Sequence, residues 1–177
     1  MCVGILFAFL NITCVAKGPE MTPQDVKSAL VYRFLNFVTW PKEAFKTSSD
    51  NIIVGVITEE VFETMVRIVK KKKIGKRSVA IVHLSPEKLK SVAIIKGCHA
   101  IYFGSEKIDI LEIVSGHLES APTLLIGDRV KFLESGGMVN FLPGPSRVRY
   151  EINNKAAKAC NLSIDKKILH LARRVIN

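Results

Sequence analysis

The sequence has few aromatic residues and none of the common nucleotide-binding patterns. Its 177 residues include 1 Trp and 3 Tyr, too few for a surface on which nucleic-acid bases stack. The glycine patterns G-x-G-x-x-G and G-x-x-x-x-G-K-S/T are absent, and so is the nucleophile pattern G-x-S-x-G. These absences exclude the familiar signatures of dinucleotide-binding enzymes, P-loop enzymes and α/β hydrolases.

Metal-binding patterns are missing as well. The 4 Cys and 4 His show no C-x-x-C or H-x-x-x-H spacing, so a zinc site is unsupported. Cys98 and His99 are neighbours in sequence, and because successive side chains of a strand point to opposite faces, they do not form a thiolate–imidazolium pair. His83 lies in another predicted strand. We therefore expect no metal, no cofactor and no enzymatic activity.

No hydrophobic run reaches the roughly 20 residues that a membrane crossing needs. Residues 1–16 (MCVGILFAFLNITCVA) carry no charge, but their apolar part spans only residues 3–10. A short apolar segment that ends in small residues is typical of a secretory signal peptide, with cleavage near Ala16 and a mature chain from Lys17. We expect residues 17–177 to form one domain, exported to the periplasm and without a transmembrane segment.

Residues 1–16 also admit other interpretations. Signal peptides carry a basic residue before the apolar run, and none is present here, so we expect the natural start to lie upstream of Met1. A core strand is the main alternative, although charged residues begin abruptly at Lys17. Lipid attachment at Cys14 is a weaker one, because the preceding Asn-Ile-Thr suits lipidation poorly.

Acidic residues are outnumbered by basic ones. The 16 Asp and Glu stand against 26 Lys and Arg, and the net charge of +10 lies entirely in residues 17–177. In an exported protein this charge favours anionic lipid headgroups or an acidic protein surface as the partner, and not nucleic acid. The densest basic run, KKKKIGKR at 70–77, is typical of a solvated loop that leads into a strand.

Removal of residues 1–16 leaves two cysteines, Cys98 and Cys160. A disulfide between them would close a loop of about 60 residues and contribute about 4 kcal/mol in the chain-entropy model. The alternative is a pair of buried thiols that pack as small hydrophobic groups. The sequence leaves both alternatives open.

Apolar runs of strand length alternate with helical segments along most of the chain. The pattern predicts helices over 23–40, 60–72, 86–92, 107–115 and 153–175, the last broken near 161–163, and strands over 52–57, 78–84, 99–103 and 123–126. Thr22 and Pro23 supply the N-cap and first-turn proline of the first helix, which Trp40-Pro41 is expected to end. Strands that are apolar throughout indicate an α/β fold with a mostly parallel sheet covered on both faces.

The stretch ESGGMVNFLPGPSRVRYEIN at 134–153 departs from this alternation. Its two glycines are expected to end a helix and turn the chain. Residues 138–142 and 147–152 then alternate with period two around a Pro-Gly-Pro-Ser turn, which predicts an antiparallel hairpin near the C-terminus.

Arg147, Arg149 and Glu151 share one face of the second hairpin strand. The arginines could clamp a carboxylate or phosphate with paired hydrogen bonds, or contact acidic residues of a partner protein. An internal ion pair with Glu151 or Glu134, or plain solvent exposure, is the alternative. We predict that these three residues bind a ligand or a partner.

Four sequence blocks resemble the YfiR family of small periplasmic proteins. The blocks are VKSALVYRFLNFVTWP (26–41), IIVGVITEEVF (52–62), KGCHAIYFG (96–104) and GGMVNFLPGPSRVRYEINNKAAKACNLSIDKKILHLA (136–172). A helix followed by Trp-Pro, combined with Gly-Gly-Met and Arg-x-Arg-x-Glu-Ile-Asn, makes the resemblance specific. It implies a single Rossmann-like domain that is exported and is not an enzyme.

The resemblance also implies a role. The best-known member of the family represses an inner-membrane diguanylate cyclase by binding its periplasmic sensor domain, and so lowers cyclic-di-GMP signalling and biofilm formation. That member is dimeric and uses disulfides. Because this mature chain has only two cysteines, it cannot form two bridges of its own.

Three functions follow from these observations. The leading hypothesis is a dimeric periplasmic protein that restrains a membrane-bound signalling protein, a diguanylate cyclase. The second is a sensor that binds a small anionic ligand at Arg147 and Arg149 and acts on a kinase or transporter. The third is an enzyme that uses acidic residues at the carboxyl ends of the strands, although acids at helix N-termini also complement the helix dipole. Those acidic residues are Glu59, Glu60, Glu106 and Asp128.

Overall fold

The computed structural model describes residues 21–47, 49–104, 108–118, 120–142 and 149–177. The predicted signal peptide, residues 1–16, lies outside the described residues, as do Glu106, Arg147 and the predicted hairpin turn. Among the described helices, none is both long and apolar enough to cross a bilayer.

Six helices and ten strands alternate along the described chain. The helices are α1 (Pro23–Leu35), α2 (Glu59–Val69), α3 (Val92–Lys96), α4 (Ile108–Leu118), α5 (Asn154–Ala159) and α6 (Lys166–Leu171), with 3₁₀ helices at Lys42–Ala44 and Lys88–Lys90. The strands are β1 (Val38–Thr39), β2 (Ile52–Val56), β3 (Lys73–Ile74), β4 (Arg77–His83), β5 (Ala100–Tyr102), β6 (Leu124–Gly127), β7 (Val139–Leu142), β8 (Arg149–Asn153), β9 (Ser163–Ile164) and β10 (Arg174–Ile176).

One sheet contains eight of these strands in the order β10-β8-β7-β6-β5-β2-β4-β3. Its pairs are parallel except at β7–β8 and β3–β4, which are antiparallel. Strands β1 and β9 form a separate antiparallel pair. The prediction of an α/β fold with a mostly parallel sheet, flanking helices and an antiparallel hairpin is confirmed.

The central strands are apolar because helices cover both of their faces. Ile101 and Tyr102 of β5 and Leu124 and Ile126 of β6 are fully buried. Trp40 is 8% exposed, and its indole N–H donates a 2.9 Å hydrogen bond to the carbonyl of the residue that precedes β5. This contact ties the segment after α1 to the centre of the sheet.

The first helix begins as predicted and ends earlier than predicted. The Thr22 hydroxyl accepts from the Asp25 amide at 3.1 Å, and the Asp25 carboxylate accepts from the Thr22 amide at 2.9 Å, which forms a capping box. The helix ends at Leu35, and β1 replaces the last predicted turn, since Val38 pairs with Ile164 of β9. Long-range strand pairing, which local spacing does not reveal, ends the helix.

Two other segments also differ from the prediction. The predicted helix over 86–92 is a 3₁₀ turn followed by α3, and the predicted helical tail contains two strands, β9 and β10. The break after α5 falls at Asn161, as expected, in the left-handed conformation with φ of 56°. The chain then continues into β10, which pairs with β8 in parallel register. The tail is therefore part of the main sheet.

Candidate functional site

The hairpin strand β8 is fixed by neighbours on both sides. It pairs antiparallel with β7, Asn140 opposite Glu151, and parallel with β10, Arg174 beside Glu151. On the inner face, the Tyr150 hydroxyl donates to the carbonyl of Ile168 at 3.0 Å and the Tyr150 ring meets the Phe34 ring edge-on at 5.6 Å. The outer face of β8 is therefore presented on a well-supported strand.

An ion-pair network occupies part of that outer face. Arg174 donates to both carboxylate oxygens of Glu151, at 3.2 Å from Nε and 3.0 Å from Nη2. Its remaining terminal nitrogen, Nη1, lies 2.8 Å from Glu134 Oε1. One guanidinium thus holds two carboxylates, with the two-point geometry that arginine forms with carboxylates.

The predicted site residues have different environments. Glu151 is paired with Arg174, and its side chain is only 16% exposed. Its carboxylate is therefore not free to bind a ligand. Arg149 is exposed, and its side chain has no ion pair or hydrogen bond in the described part of the chain. Arg147 lies outside the described residues. Sequence reasoning missed Arg174, because the tail was interpreted as a helix and nothing local indicated a strand beside Glu151.

The network shifts two pKa values in opposite directions. The hydrogen bond from Arg174, followed by a backbone hydrogen bond, lowers the pKa of Glu134. Hydrogen bonds to Glu151 and Glu134 raise the pKa of Arg174. Both shifts favour the charged forms, so the network is intact at neutral pH.

We expect Arg174→Gln to reduce the free energy of unfolding by about 1 kcal/mol near neutral pH, because the pairs are partly exposed. The Glu134 pKa is lowered in the folded state, so its contribution is present above the unfolded pKa of about 4.3 and is lost as the pH falls through the folded value. The difference between variant and wild type in urea unfolding should therefore shrink as the pH is lowered below the unfolded pKa. Arg149→Gln is the control and should change little across this pH range, whereas a pH-independent loss in Arg174→Gln would contradict the network.

The acidic residues described at the carboxyl ends of the strands, Glu59, Glu60 and Asp128, do not gather into a cation site. Asp128 forms an ion pair with Lys27 of α1 and accepts a 3.2 Å hydrogen bond from the Tyr102 hydroxyl. Glu59 lies 2.9 Å from Nδ1 of His83. No group of three metal-ligating side chains occurs among the described residues. Glu59 also lies in the first turn of α2, in accord with the helix-dipole interpretation.

His99 is part of the core. Its Nδ1 accepts from the Ile53 amide at 3.1 Å, so the proton resides on Nε2, which donates to the Ala44 carbonyl at 3.0 Å. The ring also stacks on Phe45 with centroids 4.6 Å apart. Burial lowers the pKa of His99, so the neutral ring is favoured. Both nitrogens are engaged, so this residue links β2 to the 3₁₀ helix Lys42–Ala44.

A cavity of about 700 Å³ opens beside His99 at the amino ends of β2, β5 and β6. Its lining includes acids and bases in similar number, Glu43 and Asp50 with Lys46 and Lys96. Hydrogen bonds from Thr47 lower the pKa of Asp50, whose carboxylate is already committed to that turn. Ligands of open parallel sheets usually bind at the opposite, carboxyl ends of the strands.

The two cysteines are free thiols in the structure. Cys98 is buried, and its Sγ donates to the Ile94 carbonyl at 3.4 Å within the turn that ends α3. Cys160 is half-buried at the C-cap of α5. Burial raises the pKa of Cys98 to about 11 and also raises that of Cys160. Both thiols are therefore protonated at neutral pH.

We expect Cys98 to resist alkylation in the folded protein. A pKa about two units above the ordinary value reduces the reactive thiolate about 100-fold, and burial restricts access further. Iodoacetamide labelling followed by peptide mass mapping should show Cys98 modified at least 100-fold faster in urea than in buffer. Rapid labelling in buffer, or a non-reduced peptide joining Cys98 to Cys160, would contradict the free, buried thiol.

Comparisons with known proteins give a family and a fold. A family model described as YfiR/HmsC-like matches residues 24–173. No curated protein matches the chain. Two solved structures have similar folds: "the ABC domain in complex with L-Trp" from Streptococcus pneumonia (13% identity, TM-score 0.56) and a "conserved domain protein" from Vibrio cholerae (14% identity, TM-score 0.59). They cover 87% and 88% of this chain, which spans only 60% and 61% of theirs, so the likeness concerns the fold alone.

Proposed function

Because this chain belongs to the YfiR/HmsC-like family, we propose that it is an exported, non-enzymatic regulator that restrains a membrane-bound diguanylate cyclase. In this proposal residues 1–16 direct export, and residues 17–177 act in the periplasm as a homodimer. The mature protein binds the part of the cyclase that lies outside the cytoplasm and so lowers cyclic-di-GMP. The match over residues 24–173, which is most of the chain, is the observation that carries the proposal.

We propose as the contact surface the outer face of β8, which carries Arg149 and Glu151 and is called the hairpin face below. Arg149 is exposed on a strand that is paired on both edges, and rigid strands are suited to accurate recognition. Arg174 engages Glu151 and Glu134, so these carboxylates do not compete for the Arg149 guanidinium. An acidic side chain of the partner could therefore pair with Arg149, and the net charge of +10 would speed the encounter with an acidic surface.

Deletion of the gene tests this proposal. We expect the deletion to raise cyclic-di-GMP and surface attachment, and the complete coding sequence to restore both. The complementing protein should be recovered from the periplasm without residues 1–16 and should co-purify with a cyclase from solubilised membranes. Unchanged cyclic-di-GMP, together with no membrane partner, would contradict the proposal.

The exposed Arg149 also favours a second candidate, a sensor of a small anionic ligand. An unpaired guanidinium binds carboxylate or phosphate groups by the same hydrogen bonds that it would offer a protein. A thermal-shift screen with carboxylates and phosphate esters separates the two functions. A rise in melting temperature that Arg149→Ala removes would favour ligand sensing, whereas no rise with any anion would leave protein contact as the role of this face.

A further inference from the structure

Strand β4 has an outer edge that is largely unpaired. Along its inner edge it pairs with β2 over five residues, from Val79 beside Ile52 to His83 beside Val56. On the outer side, β3 pairs only with Arg77 and Ser78, at the start of the strand. Residues 79–83 of β4 therefore end the sheet among the described strands.

The register identifies the backbone groups that face outward. The Leu84 amide donates to the Val56 carbonyl at 2.8 Å. In this parallel ladder every second residue hydrogen-bonds to the same neighbour, so the backbone groups of residues 80 and 82 also point toward β2. Residues 79, 81 and 83 then face outward, and the Val79 amide accordingly donates to the Lys72 carbonyl at 3.4 Å. The amides of Ile81 and His83 continue this row beyond the end of β3.

Residues 79–82 carry none of the usual protection against added strands. The His83 carbonyl at the end of the edge is occupied by a 3.1 Å hydrogen bond from Lys88 Nζ. Natural edge strands carry charged residues, prolines or bulges that prevent pairing. Residues 79–82 read VAIV, without charge or proline, and all four are only half-buried. A further strand could therefore extend the sheet here.

An apolar groove runs beside this edge. It has a volume of about 440 Å³ and lies between α2 and β4, lined by Val66, Val69, Val79 and Ile81 with Glu63, Arg67 and Lys70 at its rim. Val66 is 43% exposed, so the apolar surface continues onto the helix. A strand added to β4 could place alternate side chains in this groove.

The charge around the groove indicates the chemistry of the occupant. Lys70, Lys71, Lys73 and Lys76 are exposed, and none forms an ion pair with a carboxylate in the described part of the chain. Arg67 pairs with Asp25. The four lysines therefore outnumber the one acidic residue at the rim, Glu63. A ligand with acidic side chains would complement this positive charge.

We propose that the outer edge of β4 binds an extended acidic segment of another protein as an added strand. The backbone of the segment pairs with Ile81 and with the His83 amide, its apolar side chains enter the groove, and its carboxylates meet the lysines. A polypeptide is favoured over a lipid surface because only a polypeptide has amides and carbonyls at the spacing of the backbone groups of a β-strand. This surface is separate from the hairpin face and does not depend on the proposed function.

The test uses a blocked synthetic peptide in which glutamate alternates with valine, measured by fluorescence anisotropy against the protein. We expect saturable binding that is lost when alternate amides of the peptide are N-methylated, because one edge of the peptide then cannot donate. Lysine in place of glutamate should also abolish binding. Hydrogen exchange at the Ile81 and His83 amides should slow when the peptide is bound.

Matched charge variants test the lysines. We expect the double variant Lys70→Glu and Lys73→Glu to weaken the peptide about tenfold or more. Lys155→Glu with Lys158→Glu, exposed on α5, makes the same change in net charge and should have little effect. The proposal is wrong if the peptide does not bind, if N-methylation has no effect, or if the control variant weakens binding equally. It is also wrong if the free protein protects these amides in a concentration-dependent way, since a second copy would then occupy the edge.

Discussion

Gly137→Ala is expected to lower the free energy of unfolding by about 3 kcal/mol, the largest effect of a single added methyl group predicted here. A Cβ at position 137 would lie 2.2 Å from the Phe132 ring and 2.6 Å from the Phe132 carbonyl oxygen. Phe132 is 1% exposed and its ring also fills the space over Gly127, where a Cβ would lie 2.6 Å away. The ring is therefore enclosed by two glycines and cannot move aside easily.

Gly116→Ala is the control for this prediction. Gly116 is exposed in α4, and an added Cβ there would have no neighbour within 4 Å. Alanine should stabilise that helix by up to about 1 kcal/mol. Urea unfolding measures both variants, and Phe132→Leu should offset part of the Gly137→Ala loss, since a smaller side chain leaves room for the methyl group. A change below about 0.5 kcal/mol in Gly137→Ala would contradict the enclosed ring.

Arg149→Glu is expected to weaken binding to the cyclase about 30-fold, or about 2 kcal/mol, the cost typical of an arginine at the centre of an interface. The reversed charge would repel the acidic group that we propose on the partner. Stability should change little, because the Arg149 side chain has no ion pair or hydrogen bond among the described residues. Titration of the purified variant against the detergent-solubilised cyclase gives the affinity.

Lys155→Glu is the matched control for Arg149→Glu. It makes the same change in net charge at an exposed position on α5 and should leave the affinity nearly unchanged. Equal weakening by the two variants would indicate general attraction between opposite charges. Full affinity in Arg149→Glu would exclude the hairpin face as the contact surface.

Features that depend on local pattern could be predicted from the sequence. The apolar runs of β2, β5 and β6 indicated buried parallel strands, and the alternation on either side of the Pro-Gly-Pro turn indicated the hairpin. Thr22 and Pro23 marked the start of α1, which the capping box confirms. The resemblance of the sequence blocks to one family is confirmed by the match over residues 24–173.

Features that depend on long-range contacts could not be predicted. The position of Arg174 beside Glu151 requires β10 to join the sheet, and the sequence of the tail also suits a helix. Gly136 turns the chain with φ of 94°, as expected, but the helix that it was predicted to end is a series of turns over 130–136. Gly137 is required because the Phe132 ring packs against it. The open edge of β4 likewise depends on the shortness of β3, which pairs over two residues only.

The proposed function is tested most directly by measuring how fast the membrane-embedded cyclase makes cyclic-di-GMP when the purified mature protein is added. The cyclase from the same organism, reconstituted in lipid nanodiscs, exposes both of its faces to the solution. We expect wild-type protein to lower the rate in a saturable manner, and Arg149→Glu to require about 30 times more protein for the same effect. A rate that wild-type protein leaves unchanged at every concentration would contradict the proposed function.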